Sequence, residues 1–99
     1  MIFNSSIVKE YILSGANVIA TIRRKGYYKV GKRVIVKVGD KRFCGKVITI
    51  VPLTLFSLSQ YADYSGFESV EEWIAEAENL HKTRLDFNKF EIVVVKLNR

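Results

Sequence analysis

Several residue types are scarce in this chain of 99 residues, which has one proline, one cysteine and one histidine. A single cysteine cannot form an internal disulfide. Cys44 lies in an apolar–polar alternation typical of a strand, so we expect a packed thiol in a reducing compartment. His81 is remote in sequence from Cys44 and gives no metal-ligand spacing, so neither a metal nor another cofactor is expected.

Long apolar runs are also missing. None approaches the roughly 20 residues that a membrane-spanning helix needs, and no secretory signal is visible at the start of the sequence. These absences favour a cytoplasmic protein without a membrane partner. The apolar fraction of 48% and the twelve aromatic residues predict one folded domain over residues 1–99.

Acidic residues are almost absent between positions 23 and 46, where ten of the sixteen lysines and arginines lie and Asp40 is the one acid. Residues 63–78 show the reverse, with six acidic residues and no lysine or arginine. Such a polarised charge distribution attracts polyanions to one face. Tyr27, Tyr28 and Phe43 lie among the cations and suit stacking on bases. A solvated, lysine-rich hairpin is the alternative interpretation.

The periodicity of the chain predicts six regular elements. In order, they are a helix over 4–15, strands over 18–24, 33–38 and 42–51, a helix over about 69–82 and a strand over 91–97. Residues 53–67 are apolar without a period, and we expect them to cover the core with one irregular turn. With few, mainly antiparallel strands, the expected fold is α+β: a small curled β-barrel with two helices.

The second helix carries the clearest local signals. Ser69 and Glu72 have the spacing of a capping box, in which the serine hydroxyl and the glutamate carboxylate each accept a backbone N–H. Its predicted buried face consists of Val70, Trp73, Ile74, Ala77 and Leu80. The last strand has a continuous apolar run, which predicts burial on both faces.

Five short motifs, in order along nearly the whole chain, resemble the ASCH family of the PUA-like superfamily. They are residues 11–15 (YILSG), 21–23 (TIR), 30–34 (VGKRV), 45–47 (GKV) and 66–72 (GFESVEE). The resemblance implies a single PUA-like domain over residues 1–99. It also implies a cleft lined by the first helix, the Thr-x-Arg strand and the start of the late helix, with RNA or a modified nucleoside as the ligand.

Some proteins of that family hydrolyse the amide of an acylated cytidine with a lysine, a threonine and a glutamate. The resemblance assigns the threonine to Thr21 and the glutamate to Glu71 or Glu72. The lysine has no counterpart, because Gly15 is followed by Ala16 and Asn17. Whether the chain is an enzyme therefore stays open at this point.

Two classes of function follow. The first is a nucleic-acid-binding module, with RNA as the expected partner, that uses the basic hairpin and the cleft beside Arg23. The expected contact residues are Arg23, Arg24, Lys25, Tyr27, Tyr28, Lys29, Lys32, Arg33, Lys41 and Arg42. The alternative class is a small hydrolase of a modified nucleoside, or a ribonuclease. A weaker option is a protein partner that meets the acidic helix.

Individual residues also have structural alternatives. Arg23 has a planar fork of donors for a phosphate or a base edge, but an ion pair with a helix carboxylate is the competing interpretation. For Glu72, the alternative to a role in the site is that of capping residue. For Glu71, the alternative is an acid that faces solvent. The sequence does not predict the oligomeric state.

Overall fold

Four antiparallel strands form one curled, half-barrel sheet in the computed structural model, which describes residues 1–99. The strands are β1 (Val18–Arg24), β2 (Arg33–Val38), β3 (Lys41–Pro52) and β4 (Phe90–Asn98), in the order β1-β4-β3-β2. The pairing of β3 with β4 shifts register between Val47 and Thr49, and such a bulge bends a strand and increases its twist. The predicted α+β class, with a small curled antiparallel sheet, is confirmed.

Three α-helices accompany the sheet: α1 (Ser6–Leu13), α2 (Leu55–Tyr61) and α3 (Val70–His81). A single 3₁₀ turn, Ala62–Tyr64, follows α2. None of these helices combines the length and the apolar character that a bilayer-spanning helix requires.

The helix α2 corrects the expectation of an irregular segment and of only two helices. Its N-terminus is closed by a reciprocal capping box between Thr54 and Ser57, in which each side chain accepts the other residue's backbone N–H at 2.9 Å. Serine is an unusual third residue of the helix in this motif, because a capping box normally has glutamate or glutamine there. Leu58 is buried, but Leu55 and Phe56 are exposed, so the helix lacks a clear apolar stripe.

The expected capping box of α3 is only half formed. The Ser69 hydroxyl accepts the Glu72 N–H at 3.1 Å, but the exposed Glu72 carboxylate does not return a bond to the Ser69 amide. The predicted buried face is confirmed for Trp73 and Ala77, whereas Leu80 is 46% exposed. Lys82, which follows the last helical residue as the C-cap, has a left-handed conformation with φ of 54°.

The core lies on the inner face of the sheet. In β4, four successive residues from Ile92 to Val95 are at most 2% exposed, so the predicted burial of this strand on both faces is confirmed. The inner face of the β2–β3 hairpin contributes Val36 and Val47, which are fully buried.

Residues 1–3 extend the sheet beyond β2. Ile2 forms a parallel bridge with Lys37, and the Phe3 and Lys37 amides donate to the Lys37 and Met1 carbonyls at 3.3 and 2.8 Å. The Arg23 side chain donates to the Ile2 carbonyl at 2.9 Å. The segment therefore connects the β2 edge of the sheet to the end of β1, at the opposite edge.

Candidate functional site

A cavity of about 190 Å³ lies where α1, β1 and α3 converge. It occupies the place in which the sequence resemblance puts a cleft. Its walls come from the segment before α1, from β1, from the turn before α3 and from one side of α3. The lining residues are Ile2, Phe3, Asn4, Ser5, Val8, Ala20, Thr21, Ile22, Arg23, Ser65, Phe67, Trp73, Glu76, Ala77, Leu80 and His81.

Arg23 is held in this cavity by three contacts. Its Nε–H donates to Thr21 Oγ1 at 3.1 Å, and its Nη2 donates to the Ile2 carbonyl at 2.9 Å. The guanidinium carbon lies 4.8 Å from the centre of the Phe3 ring, in a cation–π arrangement. Thr21 and Arg23 are two residues apart on one strand, so their side chains leave the same face. The structure thus joins two of the predicted site residues.

The Arg23 guanidinium has no acidic partner. Both of its hydrogen bonds go to neutral oxygens, and its Nη1 group donates none within the protein. Burial lowers the pKa of Arg23 from its usual value, while the nearby Tyr28 acts in the opposite direction. The alternative of an ion pair between Arg23 and a helix carboxylate is therefore wrong. The cavity holds a half-buried cation whose charge is not neutralised.

Ser5 is the second unusual polar group of the cavity. It occupies the N-cap position of α1, but its hydroxyl makes no capping bond. The residue is only 5% exposed, and its Oγ has no hydrogen-bond partner. By contrast, the buried Ser65 hydroxyl is satisfied, because it donates to the Ala62 carbonyl at 2.6 Å and accepts the Phe67 amide. A buried hydroxyl without a partner is destabilising unless a ligand or water satisfies it.

Helix α3 contributes an acid other than the predicted ones. Glu71 and Glu72 are exposed and do not line the cavity, whereas the half-buried Glu76 does. Trp73 is part of the core, as predicted, and its indole also forms a cavity wall. No lysine lines the cavity.

His81 ends α3 at the rim of the cavity. Its ring packs edge-on against Phe90, with 4.8 Å between the ring centres. Burial, followed by the positive charges of Arg23 and Arg24, lowers the pKa of His81 below its usual value of 6.5.

A strongly basic surface covers the solvent side of the sheet, and we call it the outer face. Register pairs Arg33 with Lys46 and Lys37 with Arg42 across the hairpin, and it pairs Lys46 with Lys96 on β4. Directly opposed residues of antiparallel strands project from the same face, so these five cations share one surface. All are exposed except Lys37, which is half-buried. Like charges placed opposite one another destabilise a sheet.

No carboxylate neutralises this face by hydrogen bonding. The carboxylates that accept hydrogen bonds in this structure, Glu78 and Asp86, accept them from backbone amides. Cys44 also projects from the outer face, opposite Ile35, and is exposed. The expectation of a packed thiol is wrong because this strand position faces solvent and not the core.

The loop between β1 and β2 forms a groove of about 380 Å³, which we call the tyrosine groove. Its lining consists of Tyr27, Tyr28, Lys29, Lys32, Arg33 and Val34. Tyr27 is 76% exposed, whereas Tyr28 is half-buried against the core. Five of the predicted contact residues thus share one depression, and Arg33 connects it to the outer face.

The other predicted contact residues are dispersed. Arg24 is exposed and stacks on the Phe90 ring at 5.3 Å, and Lys25 is tied by its amide to the carbonyl of Lys89 at 3.0 Å. Lys41 is exposed at the hairpin turn, while Arg42 belongs to the outer face. Phe43 is half-buried beneath the Arg99 guanidinium, 4.7 Å from its ring, so its ring face is already occupied.

Sequence reasoning missed Ser5, Glu76 and Lys96 as site residues. Glu76 follows Trp73 by one helical turn, and that spacing was an available signal for a shared face. Lys96 lies outside the basic stretch, and only the strand register brings it beside Lys46. Ser5 gave no signal, because an N-cap serine normally bonds to its own helix.

The structure contains no group of three or more histidine, cysteine, aspartate or glutamate side chains placed to hold a metal ion.

Comparisons with known proteins find one close relative. The chain is 55% identical over 98 residues to "Uncharacterized protein 105" of Sulfolobus islandicus rod-shaped virus 1, and the alignment covers 99% of this chain and 93% of the viral protein. No family model matches the sequence. No solved structure matches it either. The resemblance to ASCH domains stays a prediction.

Proposed function

The chain belongs to the same family as protein 105 of Sulfolobus islandicus rod-shaped virus 1, and we propose that it binds nucleic acid, with RNA as the expected ligand. The outer face is the observation that carries this proposal. Five cations share it, two pairs of them directly opposed across the hairpin, without a carboxylate hydrogen bond among them. A polyanion offsets the mutual repulsion of these side chains and gains from the release of its counterions.

The tyrosine groove favours unpaired bases over a uniform duplex. An exposed aromatic ring, Tyr27, lies among Lys29, Lys32 and Arg33. Bases that are not stacked in a helix bind such rings, while cations beside the rings follow the phosphates. RNA presents unpaired bases of this kind in loops, bulges and ends.

The cavity is the adjacent cleft of the proposal. Tyr28 lines the groove and lies close enough to Arg23 to affect its pKa, so the two sites are neighbours. Aromatic walls from Phe67 and Trp73, with polar groups between them, give this cleft the character of a ligand site.

A hydrolase of the amide-cleaving type has less support. Thr21 lies in the cavity, but Glu71 and Glu72 lie outside it and no lysine lines it. With the purified protein, we therefore expect little or no release of cytidine from an acylated cytidine. Turnover that disappears in Thr21→Ala would contradict this expectation and favour the enzyme.

Binding to labelled single-stranded RNA, duplex RNA and DNA at two salt concentrations tests the main proposal. Log K for a single strand falls by about 0.7 per neutralised phosphate for each tenfold rise in salt. Five contacts predict a loss of about 100-fold in affinity between about 50 and 200 mM salt. An affinity that does not change with salt would refute binding by the outer face.

A pair of charge-reversal variants localises the contact. Lys46→Glu with Lys96→Glu changes the outer face, and Arg84→Glu with Lys89→Glu is the control, with the same change in net charge at exposed loop positions. We expect the first pair to weaken RNA binding by about tenfold or more and the control pair by about threefold or less. Salt screens the interaction between a surface charge and the RNA, so charges far from the contact contribute little. Equal losses would show that only net charge matters.

A further inference from the structure

We infer that the cavity at Arg23 binds a phosphate monoester, and that in the proposed nucleic-acid complex this group is the terminal phosphate of a strand. The identification of the ligand as a nucleic-acid strand rests on the proposed function, whereas the phosphate site itself does not. Three independent features of the cavity support it: an unneutralised cation, an unsatisfied buried hydroxyl and the start of a helix.

Arg23 supplies the charge and the geometry. Its guanidinium is fixed by Thr21 Oγ1, the Ile2 carbonyl and the Phe3 ring, so little side-chain freedom remains to be lost on binding. Its Nη1 group donates no hydrogen bond within the protein. A guanidinium with free N–H groups and no carboxylate partner is suited to an oxyanion, which it binds through short, charge-assisted hydrogen bonds.

The second and third features are the unsatisfied hydroxyl of Ser5 and the N-terminus of α1. The first N–H groups of a helix have no partners within the helix, and its dipole favours negative charge at this end. The Ser5 side chain, which would normally satisfy one of these groups, does not. Ser5 lines the same cavity as Arg23, and its buried hydroxyl lacks any partner. An oxyanion in the cavity accepts a hydrogen bond from this hydroxyl.

The charge of a terminal phosphate suits the cavity. The volume of about 190 Å³ accommodates one phosphate group with a few attached atoms. A monoester carries about −1.5 to −2 charges at pH 7, with three terminal oxygens as acceptors. It therefore interacts more strongly with Arg23 than an internal phosphodiester, which has a single charge.

Glu76 is the one acid in the lining and opposes an anion. Arg24 lies close enough to His81, at the end of α3, to lower its pKa, so a second positive charge is near the cavity. The Glu76 carboxylate accepts hydrogen bonds from the hydroxyl or amino groups of a terminal nucleotide. Glu76→Gln should therefore tighten the binding of inorganic phosphate while weakening or leaving unchanged that of a nucleotide.

The test uses the full chain and one RNA oligomer in three forms: 5′-phosphorylated, 3′-phosphorylated and with hydroxyls at both ends. Fluorescence anisotropy with an internal label should show that one phosphorylated form binds at least about tenfold more tightly than the hydroxyl form. Ser5→Ala and Arg23→Gln should each abolish this difference between the phosphorylated and hydroxyl forms. Lys46→Glu with Lys96→Glu should weaken the binding of all three oligomers by the same factor.

Ser5→Ala guards against unfolding as an explanation, because it removes a hydroxyl that bonds to nothing in the protein, so its melting temperature should not fall. Equal affinity for all three oligomers would overturn the inference and leave the proposed function standing. A nucleoside monophosphate that binds in an Arg23-dependent way, with no oligomer binding, would support the phosphate site, identify a free nucleotide as its source and refute nucleic-acid binding.

Discussion

The outer face and the cavity both bring positive charge to the surface, but they do so in opposite ways. The outer face gathers five cations on three strands, most of them exposed and opposed in like-charged pairs. The cavity has one arginine, half-buried and fixed by three contacts. Exposed charges are mobile and screened by salt, whereas a fixed, desolvated charge is directional. In the proposed complex, the first arrangement provides affinity and the second provides selectivity.

The two regions also differ in what lies beneath them. The cavity wall is part of the core, because Trp73 is 3% exposed, whereas the outer face has Ile35 at its centre with half of its surface in water. Truncation of the apolar cavity wall therefore affects folding as well as binding, whereas truncation on the outer face affects folding much less. The predictions below test this distinction.

The largest effect is expected for Trp73→Ala. Removal of a buried tryptophan from a packed core destabilises a domain by about 3–5 kcal/mol, a large part of the total stability of a domain this small. Ile35→Ala on the outer face should change the free energy of unfolding by about 1 kcal/mol or less. Urea denaturation measures both, and Trp73→Phe is the milder variant if the alanine variant does not fold. Equal losses for the tryptophan and isoleucine variants would show that the cavity wall is not part of the core.

The second prediction compares two arginines. Arg23→Ala should cost about 1–3 kcal/mol of ligand binding and alter which ligand is preferred, since it removes a directed contact. Arg42→Ala on the outer face should weaken the binding of all nucleic acids by a smaller, uniform factor. Arg42 is a better control than Lys37, which is half-buried and whose backbone pairs with residues 1–3.

Melting temperatures separate binding from folding in that comparison. Arg23 connects β1 to the Ile2 carbonyl, so a modest fall is expected for Arg23→Ala and none for Arg42→Ala. Equal losses of affinity in the two variants would contradict a defined pocket and favour a diffuse electrostatic surface.

The strands of the outer face and part of the cavity were predictable from the sequence. The bounds of β1 and β2 agree with the predicted ones, because β-branched residues are concentrated in these segments. Arg33 and Arg42 were expected as contact residues from the concentration of positive charge. Thr21 and Arg23 were expected beside a cleft, and both line the cavity. The helix α2 escaped prediction because the capping-box partner of Thr54 is a serine, not glutamate or glutamine, and its first two residues are exposed and apolar.

The cavity depends on contacts that no local pattern contains. Ser5 and Glu76 are 71 positions apart and meet only because α1 and α3 line the same space. The choice between Glu71, Glu72 and Glu76 is a question of helix phase, and the family-like motif pointed to Glu71 and Glu72, which do not line the cavity. The absence of a partner for Arg23 is a property of the tertiary structure, since acids are abundant in the neighbouring sequence of α3.

The smallest expected effect is the titration of His81, which reports on the cavity through the chain's one histidine. In the free protein, NMR of its ring protons should give a pKa below 6.5, because burial and then Arg23 and Arg24 disfavour the imidazolium. A pKa lowered by folding means that this contribution to stability is complete above about pH 6.5 and is lost as the pH falls through the lower value. Arg23→Gln should raise the pKa toward 6.5, and so should a phosphate monoester bound in the cavity, whereas Lys46→Glu with Lys96→Glu should leave it nearly unchanged. A His81 pKa at or above 6.5 in the free protein would contradict this prediction. A His81 pKa that changes as much in the outer-face variant as in Arg23→Gln would contradict the separation of the two regions.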